Sequence, residues 1–215
     1  MAYFPFIADI ENMDCLLVGG GNIALHKAEI LTEYNANIHI VAISVCEGLE
    51  KLAAGNKRID IKKQAFKDSD INGMDFVIVA AGSKELGLYI SKICKAQKIP
   101  VNVTDIKEAC SFIFPAIIHK EPVLAAISTG GASPALAADI KKSIKNVIPD
   151  YYKELAVNLA DARKYIIENT DNAIIRKQVF EKLVLYGKEH NGKIPEQVIK
   201  MFIKELAGNI PASGI

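Results

Sequence analysis

Two spacings of apolar residues follow one another along the chain. From residue 15 to 103, short runs of adjacent apolar residues alternate with longer stretches in which apolar positions recur every three or four residues. The short runs are "CLLVG", "IHIVA" at 38–42, "RIDIKK", "DFVIVAA" and "PVNVT"; helices are predicted over 22–34, near 45–54 and over 84–97. An unbroken apolar run such as "FVIVAA" suits a strand covered on both faces, so the alternation predicts an α/β layer with a parallel sheet between helices. Gly55-Asn56, Gly73 and Pro100 fall where the connections should lie.

Beyond residue 110 the spacing changes. "SFIFPAIIHKEPVLAAIST" reads as two extended runs joined by a polar turn at His119 to Pro122, an antiparallel pair with no helix between. From Ser133 onward the pattern is helical, broken at Pro149, around 169–172 and at 191–195. The expected regions are therefore 1–112, 113–148 and 149–215, with "GNIPASGI" fraying at the end. In the helical third, Tyr151, Tyr152, Leu155, Leu159, Tyr165, Ile166 and Ile167 follow helical spacing and are expected to pack, while Arg163, Lys164, Arg176 and Lys177 are expected to be solvated.

Composition narrows the classes. Half of the 215 residues are hydrophobic, enough for one sizeable core and a smaller second one. Lys plus Arg number 26 against 25 Asp plus Glu, so the overall field gives no nucleic-acid surface. The longest apolar runs, such as 76–81, are far shorter than the roughly 20 residues of a membrane span. "MAYFPFIADIEN" has no basic opening and does not read as a signal peptide, so a cytoplasmic protein with no membrane partner is expected. Cys15, Cys46, Cys94 and Cys110 are scattered, as are His26, His39, His119 and His190; no metal-binding spacing results, and reduced structural thiols are expected.

Candidate chemistry sits at two glycine turns and one carboxylate. In "DCLLVGGGNIALHKAEIL" the residues Gly19, Gly21 and Ala24 fill a G-x-G-x-x-A template between a predicted strand and a predicted helix. There the first glycine permits a sharp turn, the second admits a pyrophosphate and the small third residue allows close helix packing, which predicts a Rossmann-type dinucleotide site. A ligand-free strand-to-helix turn would use the same letters. No Asp or Glu ends the second strand to take the ribose hydroxyls; Ala42, Ile43 and Ser44 stand there, leaving NAD or NADP open, with NAD favoured because no arginine neighbours Ser44.

"AISTGGASPALAADIKKSIK" ends a strand in Gly130-Gly131 and opens a helix at Ser133-Pro134, followed by Lys141, Lys142 and Lys145. It reads either as a second anion-binding mouth or as an ordinary capped helix with a solvated basic face. Asp105 follows the fifth predicted strand, on the edge where open α/β sheets bind ligands, and could accept a proton beside a nicotinamide.

Taken together, "DCLLVGGGNIALHKAEIL", "VNVTDIKEACSFIFPAII" and "AISTGGASPALA" resemble the precorrin-2 dehydrogenase and sirohydrochlorin ferrochelatase family of siroheme biosynthesis, over about residues 1–150 and more loosely beyond. The resemblance implies an N-terminal NAD-binding domain, a central dimerisation element, a C-terminal helical domain and a homodimer. It implies an oxidoreductase that converts precorrin-2 to sirohydrochlorin, with Fe²⁺ as a possible further substrate in porphyrin metabolism. Asp105 matches the family's catalytic aspartate; Asn22, Ile23, Ile43 and Ser44 fall on its NAD-contact positions and, with Gly19, Gly20, Gly21 and Ala24 of the glycine turn, make up the expected cofactor site. Ser128, Gly130, Gly131, Ser133 and Lys141 are the expected substrate contacts, and Ser128 matches a serine phosphorylated in some relatives. On this reading Asp105 and the Gly130-Gly131 turn meet at one cavity, and the precorrin-2 comes from a separate methyltransferase. Two residues depart from the family: His26 stands where Arg is usual before Lys27, and Asn35 where Gly usually closes the first helix. A non-catalytic dimer that senses NAD(H) is the rival reading.

Overall fold

The computed structural model describes residues 3–208, so the expected fraying of the last residues falls almost wholly outside the described part. The chain divides into two compact units, Met1–Phe114 and Pro115–Ile215.

The first unit is a five-stranded parallel sheet. Strands β1 (Asp14–Val18), β2 (Asn37–Ala42), β3 (Ile59–Lys63), β4 (Phe76–Val79) and β5 (Val101–Val103) alternate with helices α1 (Asn22–Glu33), α2 (Glu47–Ala54) and α3 (Lys84–Ala96). The strand order is β3-β2-β1-β4-β5, with every pairing parallel. Successive residues of a strand face opposite sides, and the two cores sort accordingly. Cys15 and Leu17 of β1, Ile38 and Ile40 of β2 and Phe76 and Ile78 of β4 pack under α1 and α2. Leu16, Val18, Val77 and Val79 pack on the other face, with Ile90 and Cys94 of α3. A strand buried on both faces has no polar position to spare, which is why β1 and β4 read as continuous apolar runs. The outer strand β3 instead carries Asp60, Lys62 and Lys63, charges that discourage pairing of another strand at the edge.

The helices start and stop for local reasons. Ser83 caps α3 by accepting a hydrogen bond from the N–H of Leu86 at 3.2 Å. After α1 the chain turns at Asn35, whose φ of 56° is the left-handed conformation that asparagine tolerates best after glycine. The expected departure at that position is thus accommodated.

The second unit begins with a hairpin, β6 (Ala116–Lys120) and β7 (Val123–Ile127), paired antiparallel as its spacing predicts but with a turn shortened to Glu121 and Pro122. Four helices follow, α4 (Pro134–Lys145), α5 (Tyr152–Glu168), α6 (Ala173–Glu189) and α7 (Glu196–Gly208), with breaks at the predicted places. Their core joins Ala162 and Ile166 of α5, Val179 and Leu183 of α6 and Val198 and Ile199 of α7. Truncating Ile166 or Leu183 to alanine there costs about 2–5 kcal/mol. The hairpin and α4 bury far less: Ile118 and Ala137 are their only buried residues, while Leu136, Ile144 and Val147 stay exposed. Lys120 ties the hairpin to the α4–α5 connection, donating to the carbonyl of Ile148 at 2.8 Å and pairing with Asp150 at 2.6 Å. No helix among the described residues is long and apolar enough to cross a membrane.

Candidate functional site

The strand order reverses between β1 and β4, and in an open parallel sheet the crevice at that reversal, outside the carboxyl ends of the strands, is where ligands bind. The glycine turn lies there. Gly19 leaves β1 at φ 125°, a conformation that strains any other residue, and a β-carbon on it would overlap the carbonyl of Ala80 beyond β4. A β-carbon on Gly20 would overlap the carbonyl of Ser44 beyond β2. The two glycines thus let the turn press against the loops on either side of it, and the hydrogen bond from Cys46 N–H to the Gly20 carbonyl, 2.7 Å, fixes that contact. Gly21 differs: nothing of the protein lies within 4 Å of the place its β-carbon would take.

That open side adjoins the N-terminus of α1. Gly21 is the N-cap and supplies no side chain, and no acidic residue stands in the first turn. The N–H groups of Asn22, Ile23 and Ala24, like those at the start of any helix, have no intrahelical acceptor, and the helix end carries partial positive charge. Uncapped donors beside an open space fit the pyrophosphate of a dinucleotide. Exposed Ile23 and Ile43 flank the turn, with Ser44 beside them, and offer an apolar surface for an adenosine.

Asp105 stands on the same edge. β5 neighbours β4, and Thr104 N–H continues the ladder by bonding to the Val79 carbonyl at 2.9 Å, so Asp105 follows two strands over from Gly19, about 10 Å along the edge. Its side chain is exposed, it makes no hydrogen bond or ion pair among the described residues, and its φ of 64° is unusual for a residue with a side chain. Strain of this kind persists only where surrounding contacts impose it. Here the thiol of Cys110 does so, lying 3.2 Å from both the N–H and the carbonyl of Val103 and 3.3 Å from the carbonyl of Ile106. Ser91 and Ser111 clamp the same loop through the carbonyl of Ala109 and the backbone of Val101. The amino end of the sheet is the reverse case. Asp14 bonds to His39 at 3.0 Å and to Asn37, and the His39 bond holds its carboxyl below the usual value.

Cys110 and Lys27 are site features that spacing alone did not reveal. Lys27 sits 3.7 Å over the Phe114 ring, half-buried and without a carboxylate partner among the described residues, and burial pulls its ammonium pKa down. The neighbouring His26 is exposed and reaches only Glu29, at 3.8 Å. Cys15 and Cys94 are buried thiols, their pKa raised by that burial, to about 11 for Cys94; all four cysteines are free.

Ser128, Gly130, Gly131, Ser133 and Lys141 all belong to the second unit. Its glycine turn is closed on itself. Gly130 N–H donates to the Ser128 hydroxyl at 3.1 Å, Ser133 N–H to the Thr129 hydroxyl at 3.0 Å, and Leu136 N–H to the Ser133 hydroxyl at 3.2 Å. Lys141 is half-buried and, like Lys142 and Lys145, has no ion-pair partner among the described residues.

Residues 6–116 match a family model described as "Putative NAD(P)-binding". The chain belongs to that NAD(P)-binding family. The glycine turn lies within the residues so matched. The chain is also 34% identical over 199 residues to a siroheme synthase of Ruthia magnifica subsp. Calyptogena magnifica, covering 91% of this chain and 42% of that protein. With a siroheme synthase of Saccharophagus degradans it shares 33% identity over 213 residues, 99% of this chain and 43% of the relative. It thus spans about two fifths of the length of these curated relatives. A solved structure titled "SirC, precorrin-2 dehydrogenase" superposes with a TM-score of 0.69 at 20% identity, covering 96% of this chain and 100% of the other, so the fold is shared.

Proposed function

We propose that this NAD(P)-binding protein oxidises precorrin-2 to sirohydrochlorin in siroheme biosynthesis, with NAD⁺ as hydride acceptor and Asp105 as general base. One observation carries the assignment: an exposed, unpartnered carboxylate held at a strained backbone position on the same sheet edge as the dinucleotide turn. Oxidation removes two hydrogens from the macrocycle. One leaves as hydride to the nicotinamide, which is the chemistry the cofactor supplies when bound. The other leaves as a proton, and the Asp105 carboxylate, free of internal partners among the described residues, is the group that accepts it.

The residues favour NAD over NADP. Lys63, which pairs in register with Ala42 at the end of β2, has its ammonium held by Glu50 at 2.5 Å. A 2′-phosphate there would meet the Glu50 carboxylate as well.

The substrate's acetate and propionate arms call for cations and hydrogen-bond donors. Lys141, the Ser128 and Ser133 hydroxyls and Gly131 N–H are assigned to them, Gly130 N–H being already engaged by Ser128. Exposed Leu136, Ile144 and Val147 support the hairpin and α4 as the face covered by a second copy in a homodimer. Fe²⁺ is assigned as a further substrate, entering the macrocycle's own nitrogens as two pyrrole protons leave, and the reactions belong in the cytoplasm.

The test is NADH formation coupled to the appearance of sirohydrochlorin. Asp105→Asn is expected to lower kcat by about 10²–10⁴-fold with NAD⁺ affinity unchanged. Wild-type turnover in that variant would remove the base, and NAD⁺ binding without any turnover by the native protein would favour the sensor. Metal insertion into purified sirohydrochlorin tests the Fe²⁺ assignment separately.

A further inference from the structure

The basic residues of this chain are nearly all lysine. Among 26 Lys plus Arg there are only three arginines: Arg58, Arg163 and Arg176. Arg58 has a structural task, donating to the side chains of Asn12 and Asn37 at 2.8 and 3.1 Å. The other two line one open cleft of about 420 Å³ between α5 and α6, together with Ile167 and Phe180.

Arg163 is exposed and Arg176 half-buried, and what sets the two apart from their neighbours is pairing. Lys164, next to Arg163, pairs with Glu168 at 3.9 Å, and Lys177, next to Arg176, pairs with Glu181 at 3.8 Å. Each lysine meets a carboxylate one turn on along its own helix, whereas neither arginine has an ion-pair partner among the described residues. Arg163 instead lies 5.9 Å from the Phe180 ring. Arg176 is half-buried in the first turn of α6, whose N-cap is Asn172 and which has no acidic residue there. A cation at that end opposes the helix dipole. Two like charges facing one cleft, one of them against a dipole, form an arrangement that an anion would relieve. Guanidinium groups match carboxylates with paired hydrogen bonds, and Phe180 and Ile167 give the cleft an apolar wall.

We infer that the α5–α6 cleft is a binding subsite for one edge of a carboxylate-bearing aromatic macrocycle, Arg163 and Arg176 taking two acid arms while the ring edge lies on Phe180 and Ile167. The choice of a tetrapyrrole polycarboxylate rests on the proposed function; the anion site itself rests only on the cleft. The cleft is open and lined by these four residues, so it would meet one edge of such a molecule and not enclose it. Arginine's fixed fork explains why a lysine-rich chain uses arginine here.

The probe is uroporphyrin, a stable octacarboxylate, titrated by fluorescence against the whole chain. Arg163→Gln and Arg176→Gln are each expected to weaken binding about tenfold, the pair about a hundredfold, and Lys at either position to restore only part of the loss. Thermal unfolding separates this from a structural role. Arg176→Gln removes a charge that opposes the dipole, so the melting temperature of the free protein should hold or rise by about 1–2 °C. Unchanged uroporphyrin affinity in the double variant would overturn the subsite, as would a fall of several degrees in the Arg176→Gln melting temperature. Equal competition by tripolyphosphate would reassign the cleft to phosphates and overturn the carboxylate class. NAD⁺-dependent turnover, measured in parallel, keeps the two readings apart. A native protein that binds uroporphyrin through the arginines but oxidises nothing retains the subsite and loses the dehydrogenase.

Discussion

The two glycine turns of this protein look alike in sequence and differ in what their donors do. Each ends a strand and opens a helix. In the first, Gly19 and Gly20 press backbone against backbone, and the helix that follows has no capping side chain. At 130–131 both glycines also take positive φ, 64° and 80°, but Ser128, Thr129 and Ser133 occupy the surrounding N–H groups. A glycine turn is a ready phosphate site when its helix lacks a capping side chain, and a self-sealed joint when hydroxyls precede the helix. The first turn invites a ligand through its backbone; the second would have to use its side chains and the lysines beyond.

Gly20→Ala tests the first half of that contrast with the largest expected effect. Its β-carbon would overlap the Ser44 carbonyl and approach Val45 Cα to 2.9 Å, and backbone atoms cannot step aside as a side chain can. The turn must shift, with NADH affinity falling by about a hundredfold or more and stability by about 1–3 kcal/mol, a melting-point drop of roughly 2–12 °C. Titration of NADH fluorescence reads the first effect. Gly21→Ala sharpens the point. Its φ of −87° suits alanine and nothing of the protein is in the way, so stability should hold within about 0.5 kcal/mol. If the pyrophosphate takes that open space, affinity for NADH falls by about ten- to fiftyfold; unchanged affinity would place the phosphates elsewhere.

These positions also measure what the sequence discloses. The order of strands and helices was legible because burial on both faces leaves continuous apolar runs, and the G-x-G-x-x-A spacing followed by Asn35 marked both ends of α1. Asp105 was legible by position, just beyond a strand, but not by conformation. Its positive φ follows from a loop closed through the Cys110 thiol, and nothing in the spacing of four scattered cysteines announces that contact. Ser133 was legible as a cap, yet the consumption of the Gly130 and Ser133 N–H groups was not, since a hydroxyl's choice of partner depends on its rotamer. Arg163 is exposed as expected and Arg176 only half-buried, but their lack of a partner was not legible: periodicity puts a residue on a helix face without saying whether a carboxylate will meet it there.

The second turn should respond in stability alone as far as the dinucleotide is concerned. Thr129→Val keeps the side chain's shape and removes both hydrogen bonds to the Ser133 backbone, the one it accepts and the one it donates, each 3.0 Å. At about 1 kcal/mol each, the melting temperature should drop by roughly 4–8 °C while NADH affinity stays at the native value. A parallel loss of NADH affinity would mean that the two turns are coupled, and the contrast between an inviting and a sealed turn would lose its force.

Gly130→Ala gives the smallest effect and the finest discrimination. No protein atom lies within 4 Å of the added carbon, so the only cost is that of holding alanine at φ 64°, about 1–2 kcal/mol. That is a melting-point drop of roughly 2–8 °C, with NADH binding untouched. The same open space is also where a carboxylate arm could approach the turn. If the substrate enters there, the methyl group raises KM for precorrin-2 more than it lowers stability, and the second turn joins the site despite its internal seal. If KM is unchanged, Lys141 and the Ser128 hydroxyl hold the arms without the glycine backbone, and the chemistry of the two turns is as different as their hydrogen bonds.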